Sequence, residues 1–254
     1  MIRKLRDPQL PGTPLRTSGR NSNVPDAALW ILTTTAGWAI HWAPGVSQST
    51  MLGAWALTSG MWDVTYLSAV AGITSGAIAG LIAGCGQRQF FRRQRVPVQG
   101  WVTATLLAMI LGWTVSGGLE LIVLSALRAA NGGIPSPQLH SPTAIAVTGQ
   151  VAALMGAVVG GTVGVAQWVV LRRVTRRAGW WLVTTPLAWA LGGTVCWLVY
   201  GALGGPICHT WGCVDHGPGP GYEPAMVIGW LAGGLVVGAI TASTLKLLLA
   251  PRVP

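Results

Sequence analysis

Gly156-Ala-Val-Val-Gly160-Gly-Thr-Val-Gly164-Val-Ala-Gln167-Trp-Val-Val-Leu171-Arg172-Arg173 is an uncharged run that stops at a pair of arginines. A glycine at every fourth position puts a bare strip on one face of a helix, which is what two helices need to approach closely in lipid. The arginines mark the end that stays out of the hydrocarbon. The pattern occurs twice. Gly76 to Val115 aligns with Gly156 to Val195 at a shift of 80 residues without a gap, and 15 of the 40 positions are identical. The matches include Gly76, Gly80 and Gly84, then Gln87, Arg92 and Arg93, then Trp101, Thr105, Gly112 and Thr114. Each unit therefore reads as a glycine-striped helix, a basic loop and a second helix entered through a tryptophan.

The rest of the chain has the same character. Only 9% of the 254 residues are charged and 51% are hydrophobic, against about a quarter charged in soluble domains. Six stretches reach the roughly 17 to 25 residues that cross a bilayer as a helix. They are about 27–43, 65–86, 101–124, 144–171, 180–203 and 225–249. The predicted class is all-α, a polytopic membrane protein with a flexible basic tail over 1–26 and a six-helix domain over 27–250. The run after Asp26 is expected to be a permanent span rather than a cleaved leader, because its pattern returns later in the chain. Of the 16 basic residues, 15 fall in the tail, the loops after spans two and four, or the C-terminal end; Arg128 is the exception. This asymmetry places both termini in the cytoplasm. The expected location is a bacterial inner membrane, with the lipid bilayer as the first partner and other membrane subunits as further ones. The net charge of +10 does not point to nucleic acid, since the basic residues flank apolar spans instead of covering a soluble face. Met51 to Trp62, rich in Met, Leu and Trp, fits a short helix lying in the outer interface.

Repeat units at about 65–124 and 144–203 leave spans one and six, and these read as a third unit cut open. Gly234, Gly238, Leu245 and Lys246 have the spacing of Gly160, Gly164, Leu171 and Arg172. Trp30, Thr33, Thr34, Trp38 and Ala39 have the spacing of Trp181, Thr184, Thr185, Trp189 and Ala190. Three quasi-equivalent hairpins around a central axis follow, the third joining 225–250 to 27–43. Spans one and six should then pack side by side.

The segment from Gly164 to Arg173, followed by Ala178-Gly-Trp-Trp181, resembles a pattern in uncharacterised multi-span proteins of photosynthetic and related bacteria. These carry repeated Gln-Trp-x-Val-Leu-Arg-Arg hairpins. The resemblance covers spans four and five well and spans two and three loosely, where Gln87-Arg-Gln-Phe-Phe-Arg92-Arg93 replaces the Trp form. It implies a family and no activity.

Few residues carry chemistry. Gln87 and Gln167 are expected at matched depths near the inner interface, where an amide bonds either a neighbouring helix or a lipid head group. Arg92, Arg93, Arg172 and Arg173 beside them are candidates for anionic lipid. Glu120 is the one acid inside a predicted span, and about 20 residues after Trp101 it should sit at the outer edge, solvated or paired with Arg128. Pro186 is expected to kink span five or to be tolerated by packing. Cys208, His209, Cys213 and His216 lie together in the last outer loop. Thiolates and imidazoles suit zinc or copper, but on an oxidising side Cys208 and Cys213 are expected to form a disulfide. Cys85 and Cys196 are expected to stay reduced, as small buried apolar groups.

An intramembrane serine protease of the rhomboid type would place Ser in span four and His in span six, and neither is there. Buried haem would need histidines within the spans; His41 comes only to the end of one. No cofactor is predicted. The expected role is a non-enzymatic structural or accessory subunit of a larger membrane complex, the alternative being a transporter, channel or sensor for a small hydrophobic or lipid-like ligand.

Overall fold

The computed structural model describes residues 27–40, 64–130, 142–211 and 222–250. These residues form six helices, α1 (Ala27–Ile40), α2 (Val64–Arg93), α3 (Trp101–Ala130), α4 (Pro142–Leu171), α5 (Gly179–Trp211) and α6 (Tyr222–Leu249). No strand occurs among the described residues. Four helices contain segments long and apolar enough to cross a membrane: Trp101–Leu119, Gly149–Leu171, Gly179–Leu203 and Pro224–Leu249. The expected tail over 1–26 and the expected interfacial helix over Met51 to Trp62 lie outside the described residues.

Close packing explains the glycines. A Cβ on Gly80 of α2 would lie 2.9 Å from Leu106 Cα of α3, one on Gly160 of α4 would lie 2.9 Å from Pro186 Cα of α5, and one on Gly234 of α6 would lie 2.9 Å from Thr35 Cα of α1. One turn along, Gly84 faces Val102 and Thr105, Gly164 faces Thr185, and Gly238 faces Ile31. Helix α1 is thus clasped by α6 on one side, while its Gly37 meets Ala79 and Ala83 of α2 on the other. Helices α3 and α4 meet where Gly112 approaches Val159 and where Thr162 Oγ1 donates to the Ala108 carbonyl at 3.2 Å. Helix α5 also packs on α6, through Gly233 against Cys196. The helices close into a ring in the order α1, α2, α3, α4, α5, α6.

Two connections set the end of the bundle that carries the arginines. Helix α2 stops in a Schellman motif: Val96 N–H donates to Phe91 O (2.9 Å), Arg95 N–H donates to Arg92 O (3.1 Å), and Arg95 takes φ 57°. Val96 also packs on the buried cluster that contains Phe91, in keeping with the apolar contact that accompanies the motif. Helix α4 ends differently, with Val174 and Thr175 N–H both donating to Leu171 O at 2.9 Å. Thr175 Oγ1 then donates to Leu248 O at 3.2 Å, tying this turn to the end of α6.

Helix α5 continues to Trp211, past its expected end at Leu203, and remains helical across Pro186 and through Gly204, Gly205 and Pro206. Pro186 lies within the apolar segment Gly179–Leu203, and membrane helices tolerate such a proline because neighbouring helices and Ser/Thr side chains re-satisfy the freed backbone groups. The outward face is aliphatic: Leu32, Leu107 and Leu187 are each about 60% exposed. Trp30, Trp101 and Trp181 and the amides of Gln87 and Gln167 are buried inside instead, while Trp180 is exposed at the start of α5.

Candidate functional site

Three tryptophans meet at the centre of the ring. Trp30 of α1, Trp101 of α3 and Trp181 of α5 are fully buried, with ring centroids 6.0, 6.0 and 6.5 Å apart. Toward the basic loops the triangle is sealed by Phe91, Leu171 and Leu245, also fully buried at the ends of α2, α4 and α6. Phe91 stacks edge-on to Trp30 and Trp101 at 5.8 and 4.7 Å.

A buried indole N–H needs an acceptor. Trp101 Nε1 donates to Gln87 Oε1 at 3.1 Å, and Trp181 Nε1 donates to Gln167 Oε1 at 3.1 Å. In both cases the glutamine precedes the tryptophan by 14 residues. Each amide then uses its Nε2 to reach a threonine of another helix: Gln167 donates to Thr105 Oγ1 at 3.0 Å, and Gln87 donates to Thr34 Oγ1 at 3.2 Å. Gln167 Nε2 also approaches Gln87 Oε1 at 3.3 Å, joining the two amides.

The third corner is built with a shorter side chain. Trp30 Nε1 donates to Thr241 Oγ1 at 2.9 Å, and the Thr241 hydroxyl donates to Val237 O at 2.7 Å. Thr185 stands where a third amide would donate, in the position from which Thr105 accepts from Gln167 and Thr34 accepts from Gln87. Its hydroxyl is buried and has no hydrogen-bond partner. Trp30, Trp101 and Trp181 are each followed four residues later by one of these threonines, and i, i+4 puts the pair on one helix face.

Between the tryptophan triangle and a second aromatic layer lies a chamber of about 20 Å³, lined by the glutamines, the four threonines, Trp38, Met109 and Trp189. Trp38 and Trp189 stack at 4.9 Å, and Trp38 and Trp230 at 5.2 Å. All six helices contribute a side chain to the chamber wall. Among the described residues, none that borders it is charged.

The residues singled out from sequence fall in different parts of the fold. Gln87 and Gln167 are 5% and 2% exposed and bond neighbouring helices. Arg92, Arg93, Arg172 and Arg173 are exposed at the ends of α2 and α4, and the Arg172 guanidinium lies 4.9 Å over the Trp168 ring. Glu120 follows directly on the apolar segment Trp101–Leu119 within α3. Cys208 and His209 belong to the last turns of α5 instead of a loop, while Cys213 and His216 lie outside the described residues. Cys196 is buried as expected, but Cys85 is exposed. It follows Gly84, which faces α3, and one residue turns it about 100° away from that contact.

The tryptophans and the threonines four residues after them recur as matched positions in the sequence, but nothing there marks them as one bonded set. The signal that finds two of its corners is a shared spacing, a glutamine, a tryptophan 14 residues on and a threonine four residues after that; the third joins Trp30 to Thr241 across 211 residues. No protein-family model, curated protein or solved structure matches the chain.

Proposed function

We propose that this chain is a non-enzymatic integral membrane protein of six spans, built as three quasi-equivalent hairpins, that serves as a structural or accessory subunit of a larger membrane complex. Four long apolar helices support the membrane setting. The observation that carries the reading is what fills the axis. Where a carrier or pore would place a path, three tryptophans and three apolar residues are fully buried beneath a polar ring whose chamber measures about 20 Å³. About one water occupies such a volume, and ligand pockets run to several hundred Å³. The matched contacts of Gly80, Gly160 and Gly234 on α3, α5 and α1 support the hairpin arrangement, including a third hairpin made by α6 and α1.

A closed, bonded interior leaves the outward aliphatic face and the basic inner rim for interaction. The rim arginines, Arg92, Arg93, Arg172 and Arg173, suit anionic lipid on the cytoplasmic side of a bacterial inner membrane. Two measurements test the proposal. Native purification with crosslinking should bring down another membrane polypeptide in fixed ratio with the chain; the isolated chain carrying solute across liposomes would sink the structural reading. A lone reactive cysteine at position 175 should be labelled only after the membrane is opened, and labelling from outside intact cells would reverse the orientation.

A further inference from the structure

From the broken corner of the polar ring we infer that the chamber binds one water molecule, bridging Thr185 and Thr241 in the place where the other two corners have a glutamine amide. The inference stands on the bonds inside the bundle and is independent of the subunit role. Gln87 and Gln167 each span from an indole N–H to a threonine hydroxyl. Thr241 accepts from its indole but is too short to reach farther, and the Thr185 hydroxyl, 1% exposed, has no protein partner. Both threonines border the same chamber, and its volume of about 20 Å³ exceeds the roughly 10 to 15 Å³ that one water needs. Buried polar groups left without protein partners are where internal waters bind.

The chemistry of the wall selects a neutral ligand that both donates and accepts. The Thr241 hydroxyl already gives its proton to Val237 O and takes one from Trp30, so it has one lone pair left and needs a donor. Thr185 has its proton and its lone pairs to offer. Trp38 Nε1, also buried without a partner, belongs to a ring on the same wall. A cation finds indole N–H and amide NH₂ groups here and, among the described residues, no carboxylate.

The test is a structure of the full-length protein in lipid nanodiscs at a resolution that shows ordered water, with a thallium-containing sample beside it. A single peak within hydrogen-bond distance of Thr185 and Thr241 Oγ1, unchanged by thallium, is expected; an empty chamber, or a peak that thallium replaces, overturns the inference. Melting of two variants gives a second readout that does not depend on density. Thr185→Val should lower Tm by a few degrees if the hydroxyl holds a water, and leave it level or raise it if the hydroxyl is unpaired. Thr241→Gln should raise Tm and abolish the peak, because its amide takes the water's position. A level or higher Tm for Thr185→Val would count against the water even if Thr241→Gln failed to fold.

Discussion

The corner at Gln167 and the corner at Thr241 solve one problem with different side chains. Both sit beneath a fully buried tryptophan and both accept its N–H, at 3.1 and 2.9 Å. The amide has a second arm and passes the connection to Thr105 of α3, whereas the threonine turns its proton back onto its own helix at Val237 O. One corner therefore ties α3, α4 and α5 together and reaches α2 through Gln87 Oε1 at 3.3 Å, whereas the other ties two helices. A polar residue in a membrane core secures as many helices as it has bonding arms, and the number of groups stranded by its removal should rank the damage.

Removing the acceptors is the strongest way to break this difference. Gln167→Leu strands the Trp181 N–H and leaves the Thr105 hydroxyl without its donor, and each stranded buried group costs about 1 to 3 kcal/mol. Thr241→Val strands only the Trp30 N–H. In detergent melting both variants should lose stability, Gln167→Leu by roughly twice as much; equal losses would mean the second arm contributes nothing.

The packing beneath the corners can be tested at adjacent glycines. A Cβ at Gly160 would fall 2.6 Å from Trp189 Cβ and 2.9 Å from Pro186 Cα, while nothing lies within 4 Å of one at Gly161. Gly160→Val should cost about 1 to 3 kcal/mol by forcing α4 from α5, and Gly161→Val should be close to neutral. Comparable losses in chemical unfolding would place the helix interface elsewhere.

Removing the donors sharpens the ranking further. Trp181→Phe leaves Gln167 Oε1 with no donor, Trp101→Phe leaves Gln87 Oε1 the weaker approach of Gln167 Nε2 at 3.3 Å, and Trp30→Phe leaves Thr241 its bond to Val237. Losses of about 1 to 3 kcal/mol for the first variant should fall in that order down the series, as read by melting temperature. The smallest change belongs to the exposed rim. Arg172→Gln removes a guanidinium resting on Trp168, worth about 0.5 to 1 kcal/mol at an exposed site, and should leave the chamber untouched.

The site was half legible before the fold was known. Gln87 and Gln167 stand out because they recur at matched positions in otherwise apolar helices, and an amide at such a depth has to bond something. What they bond was not legible. In lipid an outward leucine such as Leu107 and an inward methionine such as Met109 are both apolar, so hydrophobic periodicity cannot say which face of a helix is inside. Thr241 was hidden for a second reason: an in-helix threonine normally satisfies itself on its own backbone, as Thr194 does on Ala190 O and Thr244 on Ile240 O. Its role depends on Trp30, which is 211 residues away in sequence.

By itself the sequence determined that this chain is helical and that four of its helices are long and apolar enough for a membrane. Both follow from local composition, because a run without charge has nowhere to satisfy its backbone in lipid except within its own helix. It also determined where glycine permits close approach, since the spacing of four fixes a face. Only the tertiary structure decided that Gly80 meets Leu106 and Gly234 meets Thr35, that Cys85 turns outward while Cys196 is buried, and that α5 persists to Trp211. It alone decided that three tryptophans from α1, α3 and α5 share one centre and that one of their three acceptors is a residue too short to close the ring. Those facts depend on distances between helices, which a single helix's pattern of apolar residues does not encode.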